Sequence, residues 1–252
     1  MIHRRFRPHT RIRPLLRAAL LLLGTATGGA QAASWPDIES RIQYAFYTED
    51  TRTLGSLHDA LLAMPEDAWR DYYLALTDYR LGRLAADDAR AAGDAAAECV
   101  ASLADALRRL RDNAEYLALQ AGCMDERARL HRIEGPFAAA RARAQMRRAL
   151  QLAPANPRVQ LLRARQDREY PAAAQDRAHA LAEAQQAVAA FERERLSTHS
   201  QPAWGLPEAY VELARECLQD GDALAARAAL EHALLMAPDF VEAHHLLKRI
   251  TS

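Results

Sequence analysis

The stretch that most constrains this chain lies near its C-terminus, between Trp204 and Ile250. Tyr210, Leu213 and Cys217 recur at i, i+3 and i+7, which sets one apolar stripe on a helix. Small residues follow at Ala214, Ala226 and Ala233, so two helices can approach closely there. Gly221 offers the left-handed residue that ends a first helix, and Asp222 can cap a second. Pro238 closes the unit. The spacing therefore predicts a helical hairpin over 206–238, followed by a lone helix over 239–250 that caps it.

Tyr210, Leu213, Ala214 and Cys217 stand at the spacing W-x2-L-G-x2-Y, and Ala226 and Leu230 at A-x3-F. This unit resembles the tetratricopeptide (TPR) repeat. Ala replaces the usual glycine and Cys the usual tyrosine. Upstream, Tyr72, Ala75, Leu76 and Tyr79 repeat the opening spacing, and Ala142, Met146 and Ala149 repeat that of a second repeat helix. Closing prolines at Pro65, Pro154 and Pro238 are too far apart for a strict 34-residue period, so the repeats are degenerate. The segments AEYLALQAGC, ALQLAPANPRVQLL and PAWGLPEAYVEL, in this order, are similar to a class of small bacterial exported TPR proteins. The short YPAAAQD turn departs from the glycine-rich segment of that class. The resemblance implies an all-α, right-handed array of TPR-like hairpins over 33–252, with about ten to eleven helices.

Residues 1–32 carry six arginines and no acids, then an apolar run from Ala18, then Ala30-Gln31-Ala32. That order is a secretory signal peptide, with cleavage expected after Ala32 and a periplasmic or secreted product. The run is about half the ~20 residues a membrane span needs, so no stable insertion is expected after cleavage. The whole chain has 33 basic and 33 acidic residues; without the first 32 it has 27 against 33, a net charge of −6. An acidic chain disfavours non-specific nucleic-acid binding.

The remaining helices follow from caps and breakers. Segments are expected over 35–48, 53–63, 67–84, 85–111, 114–130, 137–153, 156–170 and 174–195. Gly93-Asp94 offers a break within the fourth of these. Ser197 to Gly205 is the longest polar, turn-rich stretch and reads as a mobile loop.

Catalytic patterns are absent: there is no GxSxG, P-loop or GxGxxG. Three of the ten glycines fall in the first 32 residues, which leaves no phosphate cradle. His232, His244 and His245 cluster, but adjacent helical residues point about 100° apart, and neither HExxH nor CxxC accompanies them. His58, His131, His179 and His199 read as isolated. No catalytic residue, metal ligand or cofactor is expected. Cys99 and Cys123 flank the Asp112-Asn113 turn at similar distances, so a disulfide or two separate core thiols both fit. Cys217 reads as a buried hydrophobe.

A hairpin array curls and offers a concave surface lined by its first helices. The expected function is a non-catalytic scaffold whose groove binds a peptide or helix of another envelope protein. Outward positions of the repeat's first helix are Glu208, Val211, Arg215 and Leu218, extended by His245 and Arg249 on the cap helix. One alternative is a self-assembling structural subunit, favoured if Tyr44, Phe46 and Tyr47 form an exposed apolar face. An enzyme of unfamiliar type, working through the histidines, is the other.

Overall fold

The computed structural model describes residues 34–85, 87–130, 135–169, 174–196 and 202–251. The expected signal segment lies outside these residues, as do His131, His199, most of YPAAAQD and residues 197–201. The compact unit is Ala33–Ser252.

Eleven helices and no strand occur among the described residues. They are α1 (Trp35–Tyr47), α2 (Thr51–Leu62), α3 (Ala68–Leu84), α4 (Ala89–Arg109), α5 (Ala114–Leu130) and α6 (Gly135–Leu152). Then come α7 (Pro157–Glu169), α8 (Ala174–Arg195), α9 (Leu206–Gln219), α10 (Ala223–Met236) and α11 (Val241–Thr251). Short polar side chains set the starts. Asp67 accepts from the backbone N–H of Trp69 and Arg70, Asn113 from Glu115 and Tyr116, and Asn156 from Arg158 and Val159. Each satisfies donors that the first turn leaves unpaired. Gly221 has φ +79°, and Asp222 caps Ala225 at 2.9 Å.

Consecutive helices pair as hairpins, and each odd-numbered helix from α1 to α7 also packs on the next odd-numbered one. The result is two layers. The outer helices are amphipathic: α4 buries Ala92, Ala96, Cys99, Leu103 and Ala106 at alternating steps of four and three. The inner ones are buried nearly all round. In α3 every residue from Asp71 to Arg80 is buried, and in α5 every residue from Tyr116 to Cys123 is. An inner helix is thus buried on two faces, and the face toward other inner helices mixes polar and aromatic groups: Arg80 meets Glu208, and Tyr72 stacks on Tyr116.

Three expectations change. Gly93 does not break α4, because it stands among alanines, the best helix formers, and Asp88 caps the helix upstream instead. Residues 202–205 are not a loose loop. Trp204 is fully buried and donates from Nε1 to the Tyr72 hydroxyl at 2.8 Å. Gly205 has φ +117°, and a Cβ there would meet the Phe191 ring at 2.5 Å. Phe46 and Tyr47 are not an exposed face; both are buried against Phe240, and only Tyr44 is exposed.

That last contact joins the first helix to the C-terminal unit. Phe46 and Tyr47 share a core cluster with Val211, Leu230 and Phe240, so the curl closes on itself.

Cys99 of α4 and Cys123 of α5 form a disulfide with Cα atoms 6.1 Å apart, and Cys217 is a buried free thiol. The bond closes a loop with a sequence separation of 24. Loop entropy for that length amounts to about 3.5 kcal/mol. Reduction, or the double substitution Cys99→Ala/Cys123→Ala, should lower unfolding free energy by about that amount in urea titrations, with the helical signal retained.

Candidate functional site

The expected binding residues separate into two groups once the inner layer is in place. Glu208 and Val211 are not outward. They are 0% and 1% exposed, because α9 is an inner helix whose far face meets α3, α7 and α1 and not solvent. Leu218 is half-buried against the C-terminal core. Arg215, His245 and Arg249 do converge, on one cleft.

The interior facing Glu208 is a charge cluster. Arg80 from α3 binds both carboxylate oxygens of Glu208, at 2.6 Å from Nη1 and 2.5 Å from Nη2. Arg165 from α7 donates to Glu208 at 3.1 Å and to Glu212 at 2.7 Å. Arg168 donates to Glu212 at 3.0 Å. The Tyr47 hydroxyl reaches Glu208 at 3.5 Å. The Arg80 guanidinium also lies 4.1 Å from the Phe46 ring centre and 4.8 Å from that of Trp204. Such bidentate, stacked geometry is specific to arginine. Burial opposes ionisation of Glu208, but Arg80 and Arg165 outweigh it and hold the carboxyl below its ordinary range. Glu212 is likewise opposed by burial and held well down by Arg165 and Arg168.

A second cluster closes the other end of the inner layer. Arg158, 1% exposed, donates to Glu115 at 3.0 Å and to Glu194 at 2.9 Å. Glu39 accepts from the Tyr73 hydroxyl and from the backbone N–H of Ala203, each at 2.8 Å.

The cleft holding Arg215, His245 and Arg249 has a volume of about 280 Å³. Phe46, Leu84, Phe240 and Leu246 supply apolar walls, and Arg83, Glu49 and Glu242 complete the lining. Arg215 pairs with Glu242. Arg83 stands 3.7 Å from both Glu126 and Glu169. The Nε–H groups of Arg83 and Arg215 are buried with no acceptor. Burial lowers the Arg215 pKa most, Glu212 opposes this, and Arg168, Arg83 and Arg165 lower it further. The lining of the cleft itself thus brings three guanidinium groups, on Arg83, Arg215 and Arg249, together with the carboxylates of Glu49 and Glu242. Arg83, Leu84, Phe46 and Glu49 have no local sequence signature. They join the site only because α1 and α3 close against α11.

His232 and His244 make local contacts within the C-terminal unit. His232 stacks on Tyr210 with ring centres 5.1 Å apart, and a ring nitrogen of His244 lies 2.7 Å from the carbonyl of Pro238.

A thermophilic TPR protein of Thermus thermophilus superposes with a TM-score of 0.59, over 86% of this chain and 99% of that one, at 18% identity. The fold is TPR-like. No protein-family model matches the sequence, and no curated protein does. In this TPR-like array the inner side between α3, α7 and α9 is filled by the chain's own arginine-carboxylate cluster. The cleft at the seam between α3, α9 and α11 is the candidate site.

Glu208→Gln leaves Arg80 and Arg165 without their shared charge and should cost about 3–5 kcal/mol. Both Glu208 and Glu212 have depressed folded pKa values. Their stabilising contribution is present above the unfolded value near ~4.3 and is lost as pH falls through the folded values. Denaturation at a series of pH values should show stability falling below about pH 4, with a shallower fall in Glu208→Gln.

Proposed function

We propose that this chain is an exported, non-catalytic TPR-type scaffold that binds a peptide or helical segment of another cell-envelope protein. The binding element is the cleft at the seam, and its occupant presents a carboxylate beside an apolar side chain. The observation that carries this reading is the convergence of three guanidinium side chains, Arg83, Arg215 and Arg249, on one cleft beside the walls of Phe46, Leu84, Phe240 and Leu246. A partner carboxylate would pair with the guanidinium groups that line the cleft, with Arg249 at the rim adding attraction. TPR-like folds usually act by binding other proteins and not by catalysis.

Export rests on the order of charge, apolar run and small residues over 1–32. The Cys99–Cys123 bond suits an oxidising compartment. Among the described residues no helix is long and apolar enough to cross a membrane. Mass spectrometry of the protein recovered from periplasm should find a chain that begins at Ala33.

Self-assembly is the second reading. It keeps Tyr44, 61% exposed, in a shallow cleft with Met236 and Pro238. Light scattering that gives a strict monomer removes it.

A photo-crosslinking residue at His245 should capture a partner in the periplasm, while the same residue at Leu224, exposed on α10, should not. Arg249→Glu should weaken the captured partner about tenfold, or about 1.4 kcal/mol, with the melting temperature unchanged. Equal capture at both positions would move the site off this cleft.

A further inference from the structure

His58 is not isolated. Its Nε2 lies 3.3 Å from Oδ1 of Asp78 and 3.4 Å from Oε2 of Glu98. The three residues come from α2, α3 and α4, and their ligand atoms all lie within 4.8 Å of one another.

Asp78 is the decisive member. It is 1% exposed, in the middle of the buried run of α3, and neither carboxylate oxygen accepts a hydrogen bond. A buried carboxylate without such bonds is costly. Other buried carboxylates have clear donors: Asp71 has Arg70, Asp125 has Gln166 and Glu208 has Arg80. Beside Asp78 stands an imidazole nitrogen, off hydrogen-bonding direction, and another carboxylate.

The spacing suits an ion. A tetrahedral metal with bonds of about 2.0–2.2 Å separates its ligand atoms by about 3.3–3.6 Å. One imidazole with two carboxylates is a donor set for a borderline divalent ion; a site for Mg²⁺ or Ca²⁺ would be all oxygen. The surroundings leave room for a fourth ligand. The cleft over the three residues measures about 470 Å³, and Gly55, Ala91 and Ala95 line it without side chains that would fill it. The backbone at Glu98 is tied down beside Cys99, whose disulfide joins α4 to α5, while its side chain is largely exposed.

We propose that His58, Asp78 and Glu98 bind one Zn²⁺-class ion, which joins α2 to the α3–α4 hairpin and keeps a fourth position open to the cleft. The site is separate from the seam cleft and does not depend on the binding function read there.

The test uses untagged, metal-free protein titrated with Zn²⁺ against a chromophoric chelator, with melting temperature read in parallel. One equivalent should bind, and melting temperature should rise with Zn²⁺ concentration. His58→Ala and Asp78→Asn should each weaken that binding at least tenfold and abolish the thermal shift, and Glu98→Gln should weaken it less. Asp78→Asn removes a buried carboxyl that accepts no hydrogen bond, so without metal it should melt at or above the wild-type temperature. That control separates a lost ligand from a lost fold. Mg²⁺ or Ca²⁺ in excess should not displace the bound ion. Binding that is absent in the wild type, or unchanged in His58→Ala and Asp78→Asn, would overturn the proposal and leave His58 as a polar neighbour of two acids.

Discussion

Glu208 gripped by Arg80 and Arg165 is the interaction on which the arrangement depends. Three helices far apart in sequence, α3, α7 and α9, meet at one carboxylate. Each guanidinium would be costly to bury alone, and so would the acid. Together they specify one register for the inner layer, since a shift of a single helical turn of about 5.4 Å would separate every charge from its partner. The aromatic rings of Phe46 and Trp204 against Arg80 bring α1 and the segment before α9 into the same arrangement.

This cluster explains why the array is not an open cradle. In a repeat protein with an empty concave side, the inward residues of the first helices await a ligand. Here they are met by one another. Glu208 fills that side from within, and the cleft that remains lies at the edge, lined by residues of α1, α3, α9 and α11. The donors left unmatched on Arg83 and Arg215 are the outer fringe of the same concentration of arginines.

The helices themselves are legible in the sequence, because caps, breakers and apolar stripes act locally. Asp67, Asn113, Asn156 and Asp222 each lie where a start is expected, and Gly221 where an end is. The second buried face of the inner helices is not legible. Arg80, Arg165, Glu208 and Glu212 look like solvated positions to any reading based on hydrophobic period, and only partners more than forty residues away make them interior. The same blindness hides Asp78, whose neighbours Tyr79 and Leu76 read as ordinary core while it reads as a wet interruption. Trp204 reads as part of a polar loop because its setting of Pro, Gly and Ser outweighs one large ring. Arg215, His245 and Arg249 fall together in both readings since all belong to the C-terminal unit, whose geometry is local.

The contact of Phe46 and Tyr47 with Phe240 gives the molecule a clasp. An open row of hairpins behaves as a spring, in which each unit feels only its neighbours and the ends can fray separately. With first and last members fastened, loss of either terminus exposes the arginine cluster to water and loosens the whole circuit. Such a body should come apart as one cooperative event, and its edge cleft can stay preformed without an occupant to hold it.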